Sequence, residues 1–195
     1  LSLMECCSIK GIAHITGGGI TDTNFHHLAV AKSGKLRDDA VLLAQTRRML
    51  RDRKVGGFAH EFFGQWLRYH DFLQQESVSR EAFPAFDTAL KLAIFEEPSR
   101  LTTHLIRQDR RITDLLNGDV TLVNKRLAQH YGLPFTGADG EWTEVTGLHQ
   151  QGRSGLLGMA VFLTKNSQPQ RTSPVKRGFW VVHHLLGEHI PAPPA

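Results

Sequence analysis

The sequence predicts a mainly α protein, a compact multi-helix domain with a small loop/β insertion near residues 134–155. Three observations predict it. Apolar residues recur at spacings of three and four along most of the chain from residue 28 onward. Capping residues and glycine stops bracket those runs. Strand-like alternation is confined to a short stretch around Trp142 to Leu148. With 195 residues, 41% hydrophobic and 22% charged, the chain is long enough for one large domain or two small ones. Cys6 and Cys7 are adjacent and have no distant partner, so disulfides contribute nothing to the fold. No apolar run is long enough to span a bilayer, and residues 1–20 lack the order of a signal peptide.

Asp38 or Asp39 caps the first helix, which carries Leu42, Leu43, Met49 and Leu50 at a spacing of seven. Arg47, Arg48, Arg51, Arg53 and Lys54 lie at its C-terminal end, where cations suit the helix dipole. Gly56 and Gly57 break it. The next helix presents Phe58, Ala59, Phe62, Phe63, Trp66 and Leu67 as an aromatic core face. After a polar link at 74–81, Phe83, Phe86, Leu90, Ile94, Leu101 and Leu105 hold one face of a longer helix. Pro98 predicts a kink or a break there, with Glu97 pushed out of the helical region.

Thr113 caps a short turn through Leu115 and Leu116. Thr121 starts a further helix that buries Leu122, Leu127 and Tyr131 and closes at Gly132. Glycines at 137, 140, 147, 152 and 155 mark 134–155 as loop with a brief strand pair. Gly155 to Lys165 reads as a short apolar helix, and NSQPQ turns the chain into the last one.

That last helix, RTSPVKRGFWVVHHLLG over residues 171–187, holds the candidate site. Thr172 and Ser173 are N-caps and Pro174 takes the first helical position, where its missing N–H costs nothing. Val175, Phe179, Val182 and Leu186 form the face expected to be buried, and Gly187 supplies the left-handed stop. Arg171, Lys176 and Arg177 crowd the end where the dipole prefers anions. Arg171, Thr172, Ser173, Lys176 and Arg177 together therefore make a candidate anion-binding site. The simpler reading is a capped helix whose cations pair with Asp114, Asp119 or Glu97. The final IPAPPA is extended and linker-like.

Other chemistry is thinly represented. Of eleven histidines, His183, His184 and His189 are the densest group, with Glu188 a possible fourth ligand, but their apolar neighbours favour core or surface histidines over a metal site. His130 belongs to a helix end, where its cationic form is favoured. The net charge of +4 is spread along the chain, and no aromatic residues interleave the basic cluster, so nucleic acid is not expected as a partner. No GxSxG elbow occurs. Glu96–Glu97 and Glu141/Glu144 are possible carboxylate pairs for glycoside chemistry, read more simply as solvated surface.

Two resemblances frame these readings. SGKLRDDAVLLAQTRRMLRD, FFGQWL and DVTLVNKRLAQHYG, followed by GRSGLLGMAVFLTKNS and RTSPVKRGFWVVHHLLG, resemble two adjacent domains of unknown function, numbered 1592 and 1588. These occur in large planctomycete proteins that also carry cytochrome-c-like domains. The chain departs from that pattern at Val120, Ser154 and Pro98. The resemblance implies a helical domain over 28–150 and a second, short helical domain over 151–195 packed on it. It also implies an exported, multidomain protein, periplasmic or on the cell surface. The chain has no CxxCH, so any haem belongs to flanking cytochrome-c-like domains, which are the expected partners.

No catalytic residues are established for these families, and none is assigned. The expected function is a structural or interaction module. An enzyme or binding domain for a sulfated or acidic sugar, acting through the basic helix start, is the alternative. Separately, IKGIAHITGGGITDTN over residues 9–24 resembles a short motif of phosphoribosylformylglycinamidine cyclo-ligase. Residues 1–27 are accordingly expected to be a stray segment without catalytic role.

Overall fold

Helix α3, Thr88–Arg107, is the element against which most of the others pack. In the computed structural model residues 30, 32–75 and 78–191 are described, so the stray segment 1–27 and the end of the Pro-rich tail lie outside the described residues. The Asp87 carboxylate caps α3 by accepting the Leu90 N–H at 2.7 Å. Leu90, Ile94, Leu101 and Leu105 are buried on one side, as their spacing predicts. Phe83 and Phe86 precede the cap instead of extending the stripe, and Phe83 is exposed.

The helix runs through Pro98 without a break, and Glu97 stays helical, contrary to the sequence expectation. An internal proline costs about 3 kcal/mol through its lost N–H and its clash with the preceding turn. Here Glu97 and Pro98 are both buried, and the Glu97 side chain is gripped from two other elements. The Thr102 hydroxyl donates to the Pro98 carbonyl at 2.8 Å and that of Thr103 to the Ser99 carbonyl at 2.6 Å. These contacts hold the backbone in a conformation that the local sequence disfavours.

Helix α1, Asp39–Arg51, is capped by Asp38, whose carboxylate accepts the Ala40 N–H at 2.8 Å. It ends before Gly56 and Gly57, which lie inside the next helix instead of breaking the first. Helix α2 is α-helical over Val55–Phe58, π-helical over Ala59–Phe63 and α-helical again over Gly64–Trp66. Its predicted core face is only half realised. Ala59, Phe63 and Leu67 are buried, while Phe62 and Trp66 are 50% and 38% exposed. Packing on one side buries one line of residues. The second line stacks on itself, with Phe58 and Phe62 ring centroids 5.4 Å apart.

After the short helix α4, Asp114–Asn117, strand β1 (Val120–Val123) pairs antiparallel with β2 (Thr143–Thr146), Val120 opposite Thr146. Thr113 stands at the N-cap of α4 without a side-chain cap bond. Thr121 lies within β1, not at a helix start; the β-branched run VTLV suits an extended backbone. The helix expected there is α5, Lys125–Tyr131, capped by Asn124, whose side chain accepts the Leu127 N–H at 2.9 Å. Only β2 falls within the predicted insertion. It is tied to α3 by Arg100 over the Trp142 ring, 4.3 Å to its centroid.

Gly155 opens the C-terminal part at φ 42°, where an added Cβ would lie 2.3 Å from the Leu116 carbonyl oxygen, so the turn requires glycine. Helix α6, Ala160–Lys165, follows. Helix α7 spans Pro174–Trp180, capped by the Ser173 hydroxyl, and continues as a π turn over Val181–Leu185. Its burial departs from the sequence expectation. Val175, Phe179 and Leu186 are 82%, 47% and 62% exposed, Val182 is half-buried, and Trp180 is the residue that is fully covered. The Trp180 indole packs on Phe162 at 4.8 Å between ring centroids and donates its N–H to the Leu67 carbonyl at 2.9 Å. One large ring with a satisfied N–H outweighs several smaller apolar side chains in setting which side faces the body.

Replacing Trp180 by Ala is expected to destabilise the fold by about 3–5 kcal/mol. Val175→Ala should stay within about 0.5 kcal/mol of the wild type. Urea denaturation of the two variants checks this, and comparable losses from both would overturn the burial assignment.

Candidate functional site

The most polar point of the interior is Glu97, which is 1% exposed. The Thr121 hydroxyl of β1 donates to its Oε1 at 2.8 Å, and the Tyr131 hydroxyl of α5 donates to its Oε2 at 2.5 Å. Tyr131 in turn accepts the Ala160 N–H, at the start of α6, at 2.8 Å. Arg153 lies over the Tyr131 ring, 4.0 Å to its centroid, and donates to the Gly158 carbonyl at 2.8 Å. Burial pushes the Glu97 carboxyl up from 4.5 to about 7, against the pull of the Tyr131 and Thr121 hydrogen bonds and the Arg153 charge. Burial also raises the Tyr131 phenol, with the neighbouring Glu97 charge adding to it.

Glu97 is thus no part of a solvated carboxylate pair. The signal that finds it is its place in the stripe 90, 94, 97, 101, 105, at core spacing. Of the other pair, Glu144 faces His104 at 3.6 Å, and Glu141 accepts the Ala138 N–H at 3.0 Å.

The five residues of the predicted anion site fall on one stretch with differing environments. The Ser173 hydroxyl accepts the Lys176 N–H at 3.3 Å, and the Arg171 guanidinium donates to the Gln168 side chain at 2.7 Å. Arg177 is turned toward α6, donating to the Leu163 carbonyl and the Ser167 hydroxyl at 3.3 and 3.1 Å. Its Nε is buried without a hydrogen-bond partner. Thr172 and Lys176 are exposed. Among the described residues none of the three cations pairs with a carboxylate. Asp114 is taken by Arg110, and Asp119 accepts the His149 and Gly147 N–H groups.

Two groups of histidines stand close together among the described residues. His183 and His184 sit on the π turn of α7, with the His183 ring 5.2 Å from His184 and 6.1 Å from His189. Burial, aided by the charges of His183, Arg68 and Lys165, holds the His184 imidazole below its usual range. His130 is also held low, by burial first and then by Arg153 and Arg126, so its expected cationic form is disfavoured. The second group, unremarked in the sequence, is His60, Glu61 and His70 on and just after α2; their ligand atoms all lie within 4.8 Å of one another. His60 and His70 are ten residues apart on a helix and the chain that reverses after it, a spacing with no sequence signature.

The helical body with its two-stranded insertion places this chain among mainly α domains. The PSD4 family model, a protein of unknown function (DUF1592), matches residues 21–133, and the chain belongs to this family. The PSCyt3 model, also a protein of unknown function (DUF1588), matches residues 153–195. These are the two domains that the sequence motifs resemble, in the same order. No curated protein matches the chain. No solved structure does either. The Glu97 network joins the two matched segments, since Tyr131 belongs to the first and Ala160 to the second.

A carboxyl whose folded-state value is raised binds more protons folded than unfolded between about 4.5 and 7. Its contribution is therefore fully present below pH 4.5 and is lost as pH rises through 7, by on the order of 3 kcal/mol. His130 and His184, with lowered values, act in the opposite sense as pH falls through the ordinary histidine range. The difference between wild type and Glu97→Gln isolates the carboxyl. The wild type should lose stability relative to the variant between pH 5 and pH 8 in urea denaturation, and parallel pH profiles would contradict this account.

Proposed function

We propose that this chain is a structural or interaction module of an exported multidomain protein. The observation that carries this reading is the uncovered apolar face of α7, where Val175, Phe179 and Leu186 stand exposed on a helix whose opposite side is anchored by Trp180. The occupant we assign to it is a cytochrome-c-like domain of the same longer protein, which carries the haem. Support comes from the resemblance of RTSPVKRGFWVVHHLLG to the PSCyt3-type segment and from the family name itself. The periplasm or cell surface is the corresponding location. Among the described residues no helix is long and apolar enough to cross a membrane.

The test is co-purification of the chain with the cytochrome-c-like domain encoded beside it, followed by haem absorbance. A Val175→Asp/Phe179→Asp double variant should retain the wild-type melting temperature within about 2 °C, because both positions are exposed. It should lose haem-domain capture at least about tenfold. Equal capture by the variant would refute the assignment.

A second reading, an anion-binding surface at Arg171, Thr172, Ser173, Lys176 and Arg177 for a sulfated or acidic sugar, is favoured by one observation: the Arg177 Nε is buried and unpartnered beside exposed Lys176. Sulfate, phosphate and glucuronate in a thermal-shift titration test it. Stabilisation abolished by Lys176→Ala supports it, and no shift at millimolar ligand removes it.

A further inference from the structure

Residues 60 and 61 are neighbours on a helix and ordinarily point away from each other. Three local features bring them together with His70. The π turn over Ala59–Phe63 widens the helix where both residues sit. Arg68, at φ 60°, then reverses the chain in the left-handed region, which a non-glycine residue occupies at some energetic cost. The Gly64 carbonyl fixes the returning chain by accepting the Tyr69 and His70 N–H groups at 3.0 and 3.2 Å. Gly64 carries no side chain, and an added Cβ would stand 3.6 Å from the His70 Cβ, so His70 lies close against the helix. The outcome is a His70 Nε2 3.8 Å from the Glu61 carboxylate, with His60 alongside.

The His60 ring is oriented from behind. Its Nδ1 lies 3.2 Å from the Ser99 hydroxyl, which is 3.1 Å from the Tyr69 hydroxyl, and its ring meets Phe95 edge-on at 5.3 Å. When Nδ1–H donates to Ser99, Nε2 is the ring nitrogen left with a lone pair for a ligand bond. A hydrogen bond to the far nitrogen is how protein sites set the tautomer of a metal-binding imidazole. An ion pair between His70 and Glu61 alone would need neither His60 nor its Ser99 anchor.

We propose that His60, Glu61 and His70 bind a divalent transition-metal ion of the zinc class, with Ser99 as the residue that positions His60. Two imidazole nitrogens and one carboxylate oxygen are the donor set that borderline cations such as Zn²⁺ take, with water completing the shell. Tetrahedral coordination at ordinary bond lengths needs ligand atoms ~3.3 Å apart. Glu61 and His70 have side chains 48% and 41% exposed, free to close the remaining gap by rotation, while His60 stays fixed. This inference stands apart from the interaction-module reading, because the site uses α2 and α3 and no part of the α7 face.

The test uses the full chain, stripped with a chelator and titrated with Zn²⁺ by calorimetry, with Co²⁺ absorption as a second readout. The expected result is one equivalent, bound at micromolar strength or tighter, that disappears in His60→Ala and in His70→Ala. Ser99→Ala should weaken that equivalent about tenfold or more while every ligand remains. His183→Ala/His184→Ala should leave it intact. Circular dichroism and melting curves confirm that each variant is folded, and Glu61→Gln serves as a further folded variant with weakened binding. No binding at 100 µM-range metal (about that value, far above a working site's affinity), an equivalent unchanged in His60→Ala and His70→Ala, or one lost with His183 and His184 would each overturn the proposal.

Discussion

The centre of the body is arranged about one buried carboxyl. Glu97 sits at the middle of the longest helix, and its two oxygens are occupied by Thr121 from β1 and Tyr131 from α5. Through the Tyr131 hydroxyl the network reaches the first N–H of α6, one of the groups that a helix start otherwise leaves unpaired. A buried polar group without partners is costly, and a satisfied one specifies the geometry of its neighbours. Strand β1, helix α5 and the start of α6 are tied to α3 by the same few hydrogen bonds. They also share one hydrophobic cluster, in which Phe162 and Trp180 join Leu67, Tyr69 and Ile94.

That constraint also accounts for the proline. Pro98 next to Glu97 should end a helix by local rules, yet the carboxyl is held on one side and the proline is buried on the other. Breaking the helix there would withdraw Glu97 from Thr121 and Tyr131 and expose unpaired groups at the centre. Ser99, one residue further on, faces the opposite way and orients His60. Two adjoining stretches of one helix thus serve the interior network and the histidine cluster at the surface.

Much of this was legible in the chain. Asp38 and Ser173 with Pro174 mark helix starts by short-range chemistry, and Gly132 and Gly187 do stand in the left-handed conformation expected of helix stops. The stripe on α3 is read directly from its period. The errors cluster where two local rules compete or where a face has to be chosen. Thr121 reads locally as a cap, and pairing with Val145 of β2 makes it a strand residue instead. Six aromatic and aliphatic residues on α2 read as one face, although a single neighbouring helix covers only the line 59, 63 and 67. The His60–Glu61–His70 grouping has no spacing signature because it depends on a π turn and a left-handed reversal, neither encoded by a short motif.

Local sequence by itself determined the helical class, the helix starts at Asp38 and Ser173, the stops at Gly132 and Gly187, and the two family segments, because those depend on periodicity, caps and recurring motifs within a few residues. Tertiary structure alone decided which face of α7 turns inward, that α3 passes through Pro98, and that Glu97 lies at the centre. Each of these turns on contacts between residues far apart in the chain: Trp180 with Leu67, Glu97 with Tyr131, Tyr131 with Ala160. An apolar period states that one side of a helix is to be buried, but the partner that covers it, and the hydrogen bonds that partner completes, are set by packing.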